Sequence, residues 1–80
     1  MKVLKFFSPT CGPCKVLDRN LQEAGIQYES IDITDDANEE LITKYNITSI
    51  PTLLAVDNKG NAVLRNKGVI STQDLIKYFK

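Results

Sequence analysis

Apolar residues in this chain alternate between two rhythms, one of strands and one of helices. Val3 to Phe7 is apolar apart from Lys5 and stops at Ser8-Pro9, so it reads as a buried strand. Cys11 to Ala24 reads as a helix. Cys14, Leu17, Leu21 and Ala24 recur on one face, Asp18, Arg19, Gln22 and Glu23 are left for solvent, and Gly25 ends it. Gln27 to Ile33 reads as a second strand. Its isoleucine face (Glu29, Ile31, Ile33) is expected inward and its Tyr28, Ser30, Asp32 face outward. Asp36 with Glu39 three residues on has the form of a capping box, which predicts a second helix with Leu41, Ile42 and Tyr45 as its stripe and Asn46 as its end. Thr48-Ser49-Ile50-Pro51 is a loop into a third strand, Thr52 to Val56. The turn residues Asp57-Asn58-Lys59-Gly60 join it to a fourth strand, Asn61 to Arg65, in a hairpin. Asn66-Lys67-Gly68 is a further turn. Ser71 and Asp74 cap a last helix with Leu75, Ile76 and Phe79 as its stripe.

The order is β-α-β-α-β-β-α, an α/β chain expected to form one domain over residues 1–80. A strand–helix–strand unit of this length makes a parallel pair with a right-handed crossover. The hairpin adds two antiparallel strands. The product is a four-stranded mixed sheet with helices on both faces, the first strand central. Open α/β sheets place their sites at strand C-terminal ends, here the stretch after Phe7.

Composition narrows the chemistry. Ten basic and ten acidic residues cancel, which removes the electrostatic footprint of a nucleic-acid binder. There is no histidine, so Ser-His-Asp and Cys-His catalysis are excluded, and two cysteines cannot fill a zinc site within one chain. No cofactor is expected beyond a redox-active disulfide. The first seven residues are too short and charged for a signal peptide, and no apolar run approaches the ~18 residues of a spanning helix. The expected location is a reducing cytoplasm, where a lone close cysteine pair points to reactivity.

That pair is Cys11 and Cys14, in Thr10-Cys11-Gly12-Pro13-Cys14-Lys15. At i and i+3 of a helix they share a face, and their sulfurs can bond or stand as two thiols. A purely structural staple closing so short a loop contributes roughly 2 kcal/mol at most. The redox reading is stronger. Cys11 at the helix N-terminus lies beside unpaired N–H groups and the positive end of the macrodipole, which favour a thiolate. It is the expected nucleophile, and Cys14, a turn inside and facing the core, the expected resolving thiol. Gly12 admits a substrate backbone, and Pro13 stiffens the first turn at no hydrogen-bond cost.

Cys11-Gly12-Pro13-Cys14-Lys15 resembles the active site of the thioredoxin family. Ile50-Pro51-Thr52 is similar to that family's cis-proline loop, with Tyr45-Asn46-Ile47-Thr48-Ser49 before it, and Gly68-Val69-Ile70-Ser71 resembles its last active-site loop. The resemblance spans nearly the whole chain, less the extra N-terminal strand and helix of a full-length thioredoxin. It implies a minimal thioredoxin fold, a cis Ile50–Pro51 bond packed against the cysteines, and substrate binding at Ile50, Pro51 and Gly68 by strand-like backbone hydrogen bonds. It also implies a protein-disulfide reductase, acting as a monomer on disulfide-containing proteins and recharged by a thioredoxin reductase or similar donor, with neither nucleic acid nor membrane as partner.

Departures from the family pattern leave two alternatives. Thr10 stands where thioredoxins carry Trp. Lys5 stands where they carry a buried Asp, and Asp32 where that Asp has its lysine partner. Lys5 is expected to snorkel out of the sheet as a structural residue, or else to stabilise the Cys14 thiolate, with Asp32 as its opposite-signed partner. Pro9-Thr10 is closer to glutaredoxin, so a glutaredoxin-like electron donor, for example to ribonucleotide reductase, is the first alternative. The glutaredoxin residues that grip glutathione's carboxylates are mostly absent. A non-catalytic thioredoxin-fold binding subunit, presenting Ile50, Val69 and Ile70, is the second.

Overall fold

The computed structural model describes residues 1–80. In chain order the elements are β1 (Lys2–Phe7), α1 (Gly12–Ala24), β2 (Glu29–Asp32), a 3-10 turn (Asp36–Asn38), α2 (Glu39–Lys44), β3 (Thr52–Val56), β4 (Ala62–Lys67) and α3 (Thr72–Phe79). The strands form one four-stranded sheet in the order β2-β1-β3-β4, with β1 central as expected. β1 runs parallel to β2, and the β3–β4 hairpin is antiparallel to β1.

Alternation along β1 divides the core between the two faces. Val3 joins Leu17, Leu21 and Ala24 of α1, Leu53 and Ala55 of β3, and Leu75 and Phe79 of α3. Leu4 and Phe6 point the other way, to Ile31, Leu54, Val56 and Tyr45, which α2 covers with Leu41 and Ile42. The result is three layers, with α1 and α3 on one face and α2 on the other. Phe6, Leu17, Leu21, Leu53, Leu54 and Leu75 are fully buried, each worth about 1.5–3 kcal/mol relative to exposure. No helix is long and apolar enough to cross a membrane.

Helix ends follow local chemistry. α1 stops at Gly25 in the left-handed region (φ 71°), where the N–H of Gly25 bonds the Gln22 carbonyl and that of Ile26 the Leu21 carbonyl. α2 closes the same way at Asn46 (φ 53°), with Asn46 N–H on Thr43 and Ile47 N–H on Ile42. At the start of α2 the capping-box expectation needs correction. Asp35, not Asp36, caps the preceding 3-10 turn, accepting from the Ala37 N–H at 3.0 Å, and α2 itself begins after Asn38 with no side-chain cap. Asp32 pins both the N–H and hydroxyl of Thr34, so the chain turns a residue early and opens as 3-10 before becoming α. β4 also runs past Arg65 to Lys67, because its ladder with β3 continues to the Thr52–Lys67 pair. In α3 the Ser71 hydroxyl accepts from the Asp74 N–H as expected. Ile76, however, is 48% exposed: α3 lies over the edge of the layer and buries only the narrow Leu75–Phe79 line.

Candidate active site

Strand register brings the sequence-predicted residues to one end of the sheet. β1 ends at Phe7, and Phe6 pairs with Thr52 at the start of β3, which pairs with Lys67 at the end of β4. The Cys11 loop, the Ile50–Pro51 loop and Gly68 therefore leave the sheet side by side. The Gly68 N–H donates to the Pro51 carbonyl at 2.8 Å, joining the second loop to the third. Asn20 of α1 donates to the Ile70 carbonyl at 3.0 Å, joining the third to the first helix. The Ile50–Pro51 peptide is cis, as the resemblance implied.

Cys11 is the N-cap of α1, and Pro13 occupies the first turn. The Cys14 N–H points at the Cys11 Sγ with an N–S distance of 3.1 Å, so the sulfur itself caps the helix. The two cysteines are joined by a disulfide across a Cα–Cα distance of 5.3 Å. Cys11 is half-buried, whereas Cys14 is only 2% exposed and faces the α1–sheet layer. Such a pair can take up and release two electrons, with one sulfur reachable and one not. A Cβ at Gly12 would meet nothing within 4 Å, so the surface before the disulfide is open. Gly68 is equally open, and its φ of 91° is one a side chain rarely adopts. Beside Ile50 an apolar cleft of about 250 Å³ is lined by Ile33, Ile42, Ile47, Thr48 and Ser49. The largest surface depression, about 690 Å³, lies along the acidic side of α2 away from both sulfurs. No group of three or more His, Cys, Asp or Glu is placed to hold a metal ion.

Lys5 overturns the expectation of a snorkelling side chain paired with Asp32. It is 2% exposed, and its ammonium makes an ion pair with Asp18 of α1, whose side chain is 33% exposed. Asp32 is engaged instead with Thr34. Asp18, assigned to solvent from its polarity, also accepts the Tyr28 hydroxyl at 2.9 Å on the same Oδ1. The Lys5 Nζ lies 4.7 Å from the Phe7 ring centroid and 5.5 Å from that of Tyr28. Burial, and then the hydrogen bond to Asp18, push the Tyr28 hydroxyl above its ordinary value. The sequence held a signal for Asp18. It stands four residues after Cys14 and three before Leu21, within the buried stripe of α1.

A family model described as Thioredoxin matches residues 1–80. The SPbeta prophage-derived thioredoxin-like protein YosR of Bacillus subtilis is 28% identical over 68 residues, covering 85% of this chain and 82% of that protein. A protein disulfide-isomerase of Ricinus communis is 31% identical over 87 residues, covering 98% of this chain but only 18% of the isomerase. Among solved structures, reduced Schistosoma mansoni thioredoxin superposes with a TM-score of 0.75 at 33% identity, over 98% of this chain and 77% of that one.

Proposed function

This chain belongs to the thioredoxin family, as a thiol–disulfide oxidoreductase, and on that premise we propose that it reduces disulfides in protein substrates, with Cys11 as nucleophile and Cys14 as resolving thiol. In the reduced protein the Cys11 thiolate attacks a substrate disulfide. A Cys11–substrate bond forms, the substrate S–S bond breaks, and one substrate thiol leaves. Cys14 then gives up its proton and attacks the Cys11 Sγ. The Cys11–Cys14 disulfide forms and the second substrate thiol leaves, so two electrons have passed from the pair to the substrate.

The observation that carries this reading is the position of the two sulfurs. Cys11 Sγ receives the Cys14 N–H at 3.1 Å at the mouth of α1. That N–H and the positive helix end favour a thiolate there. Cys14, buried one turn in, is reached only by Cys11. Pro51 offers no N–H, so the backbone at Ile50 is left to pair with an extended substrate segment beside the open surface at Gly12 and Gly68. Backbone pairing of this kind reads little sequence, as suits an enzyme with several protein clients.

The proposal includes a dithiol donor of the thioredoxin-reductase type, a monomeric state and a reducing cytoplasm. Short or charged edge strands support the monomer: β2 has four residues, and β4 carries Arg65 and Lys67. The test is insulin reduction coupled either to NADPH and thioredoxin reductase or to glutathione and its reductase. Turnover is expected with the first couple. Turnover with the second alone overturns the choice of donor, and turnover with neither overturns the reductase.

A further inference from the structure

The sheet has two outer edges, and they differ. β2 has four residues, and its Asp32 carbonyl already accepts from the Asn38 side chain at 2.9 Å. β4 has six residues and no strand beyond it. Its register decides which backbone groups are free. The Gly68 N–H bonds the Pro51 carbonyl directly opposite. In an antiparallel ladder Asn66 and Leu64 then bond β3 as well, while Arg65 and Lys67 turn their N–H and C=O outward. Leu54 and Thr52, opposite those two, are the residues that pair with β1. Side chains divide in the same way. Leu64 and Asn66 lie on the α3 side with Leu53 and Ala55, and Arg65 and Lys67 on the α2 side with Leu54. On the α3 side a groove of about 400 Å³ runs beside the edge, with Leu64, Val69, Ile70, Tyr78 and Phe79 as its apolar lining. Val69 is 46% and Tyr78 52% exposed. On the α2 side Arg65 and Lys67 are exposed, and neither belongs to the Lys2–Glu29 or Lys5–Asp18 ion pair. The Arg65 guanidinium donates to the Tyr45 carbonyl, which holds its charge in place.

We propose that the β4 edge is a docking site for an extended segment of a protein partner that alternates apolar and acidic residues. Added beside β4 as a new edge strand, the segment pairs its backbone with Arg65 and Lys67. Its apolar side chains lie over the groove against Val69 and Tyr78. Its carboxylates stand beside Arg65 and Lys67, where opposite charges on neighbouring strands attract. Asp74 on the groove wall repels a carboxylate from that side, so a slip of one residue is penalised. A second copy of this chain does not fit, because pairing β4 with β4 sets the two cations against their own kind. The charges that keep two copies apart therefore select an acidic partner. Which partner this is rests on the exchange reading above: a disulfide client. Neighbouring strands lie ~4.8 Å apart, so the added strand is about 14 Å from β1, at whose end Cys11 stands. About four or five extended residues span that distance. A client cysteine placed that far beyond its docked segment reaches Cys11 past Gly68.

Docking is tested on the oxidised protein, where it does not depend on turnover. The probe is a blocked, cysteine-free peptide of alternating valine and glutamate, as long as β4, titrated while the backbone amides are followed by NMR. Shifts and slowed hydrogen exchange are expected at Arg65 and Lys67, with ring shifts at Tyr78. The same peptide with lysine for glutamate is expected to bind about tenfold more weakly, and Lys67→Glu to narrow that preference. Methylating the peptide's backbone nitrogens, which leaves the protein untouched, is expected to abolish binding. The proposal is overturned by equal binding of the two peptides, by shifts confined to Gly12 and Ile50, by no binding, or by protection of the same amides through self-association without peptide. A disulfide peptide that carries the valine–glutamate segment is then compared with one that lacks it, and is expected to be reduced faster at low concentration. Equal rates overturn the assignment of the partner as a client. Docking without reduction of either peptide removes the exchange reading and leaves the edge as a docking site.

Discussion

Cutting the Lys5–Asp18 pair from its two ends is expected to give unequal losses of stability. The asymmetry comes from solvent access: the Lys5 side chain is 2% exposed and that of Asp18 33%. In Asp18→Leu the ammonium stays buried with no anion, held only by the faces of Phe7 and Tyr28. An orphaned buried charge costs about 3–5 kcal/mol. The total stability of a chain this size is roughly 4–12 kcal/mol, so that variant approaches unfolding. In Lys5→Met the carboxylate keeps the Tyr28 hydroxyl at 2.9 Å and its contact with water, and the added methionine suits its apolar surroundings, so the loss is about 1 kcal/mol. Removing both charges in Lys5→Met/Asp18→Leu is expected to restore stability to near wild type, since apolar replacement of a buried pair is often neutral or better. Urea unfolding followed by far-UV circular dichroism measures all four proteins. If Lys5→Met loses as much as Asp18→Leu, or the double variant is the least stable of the set, the burial argument is refuted.

Three further outcomes follow from the same geometry. Cys14→Ser should hold its protein substrate as a Cys11 mixed disulfide, visible by non-reducing electrophoresis and mass spectrometry; rapid release of the substrate would show that Cys14 is not the resolving thiol. In Tyr28 the fold favours the neutral phenol, so its contribution is complete below the ordinary value of 10.0 and is lost as pH rises through the higher folded value. Tyr28→Phe should therefore cost about 1 kcal/mol at neutral pH, with the gap to wild type closing in strong alkali; a gap that widens there contradicts the sign. Gly68→Ala meets open space, so its whole effect is the positive φ of 91°, about 1–3 kcal/mol, and a loss within the ~0.5 kcal/mol scatter of surface changes would contradict it.

Most of the architecture was legible because it depends on local periodicity. The apolar run of Val3 to Phe7, interrupted only by Lys5, marked a buried strand, and that strand is the central one of the sheet. Glycine and asparagine placed the ends of α1 and α2 because only residues tolerant of positive φ close a helix that way. The cysteine pair was legible for a different reason: two sulfurs at i and i+3 have few other uses. What could not be read was competition among near-equivalent neighbours. Asp35 and Asp36 are adjacent acids, and which one caps was settled by Asp32 holding Thr34. Ile76 sits next to Leu75 in sequence, and only the position of α3 at the edge of its layer decided which was buried.

The error over Lys5 has a deeper source. Reading charge as a surface marker sent Lys5 outward and Asp18 to solvent, and each assignment was reasonable for an isolated charge. Together they fail, because each residue supplies the condition under which the other can be buried. A lysine in the centre of β1 is tolerable only with a carboxylate above it, and the α1 stripe can include position 18 only with an ammonium below it. Neither helix nor strand periodicity contains that conditional, since the two residues lie 13 apart and on different elements. The pair joins the central strand to the helix that carries both sulfurs, one turn below Cys14. A buried ion pair is weak evidence for stability, and apolar residues would fill the same layer at no greater cost.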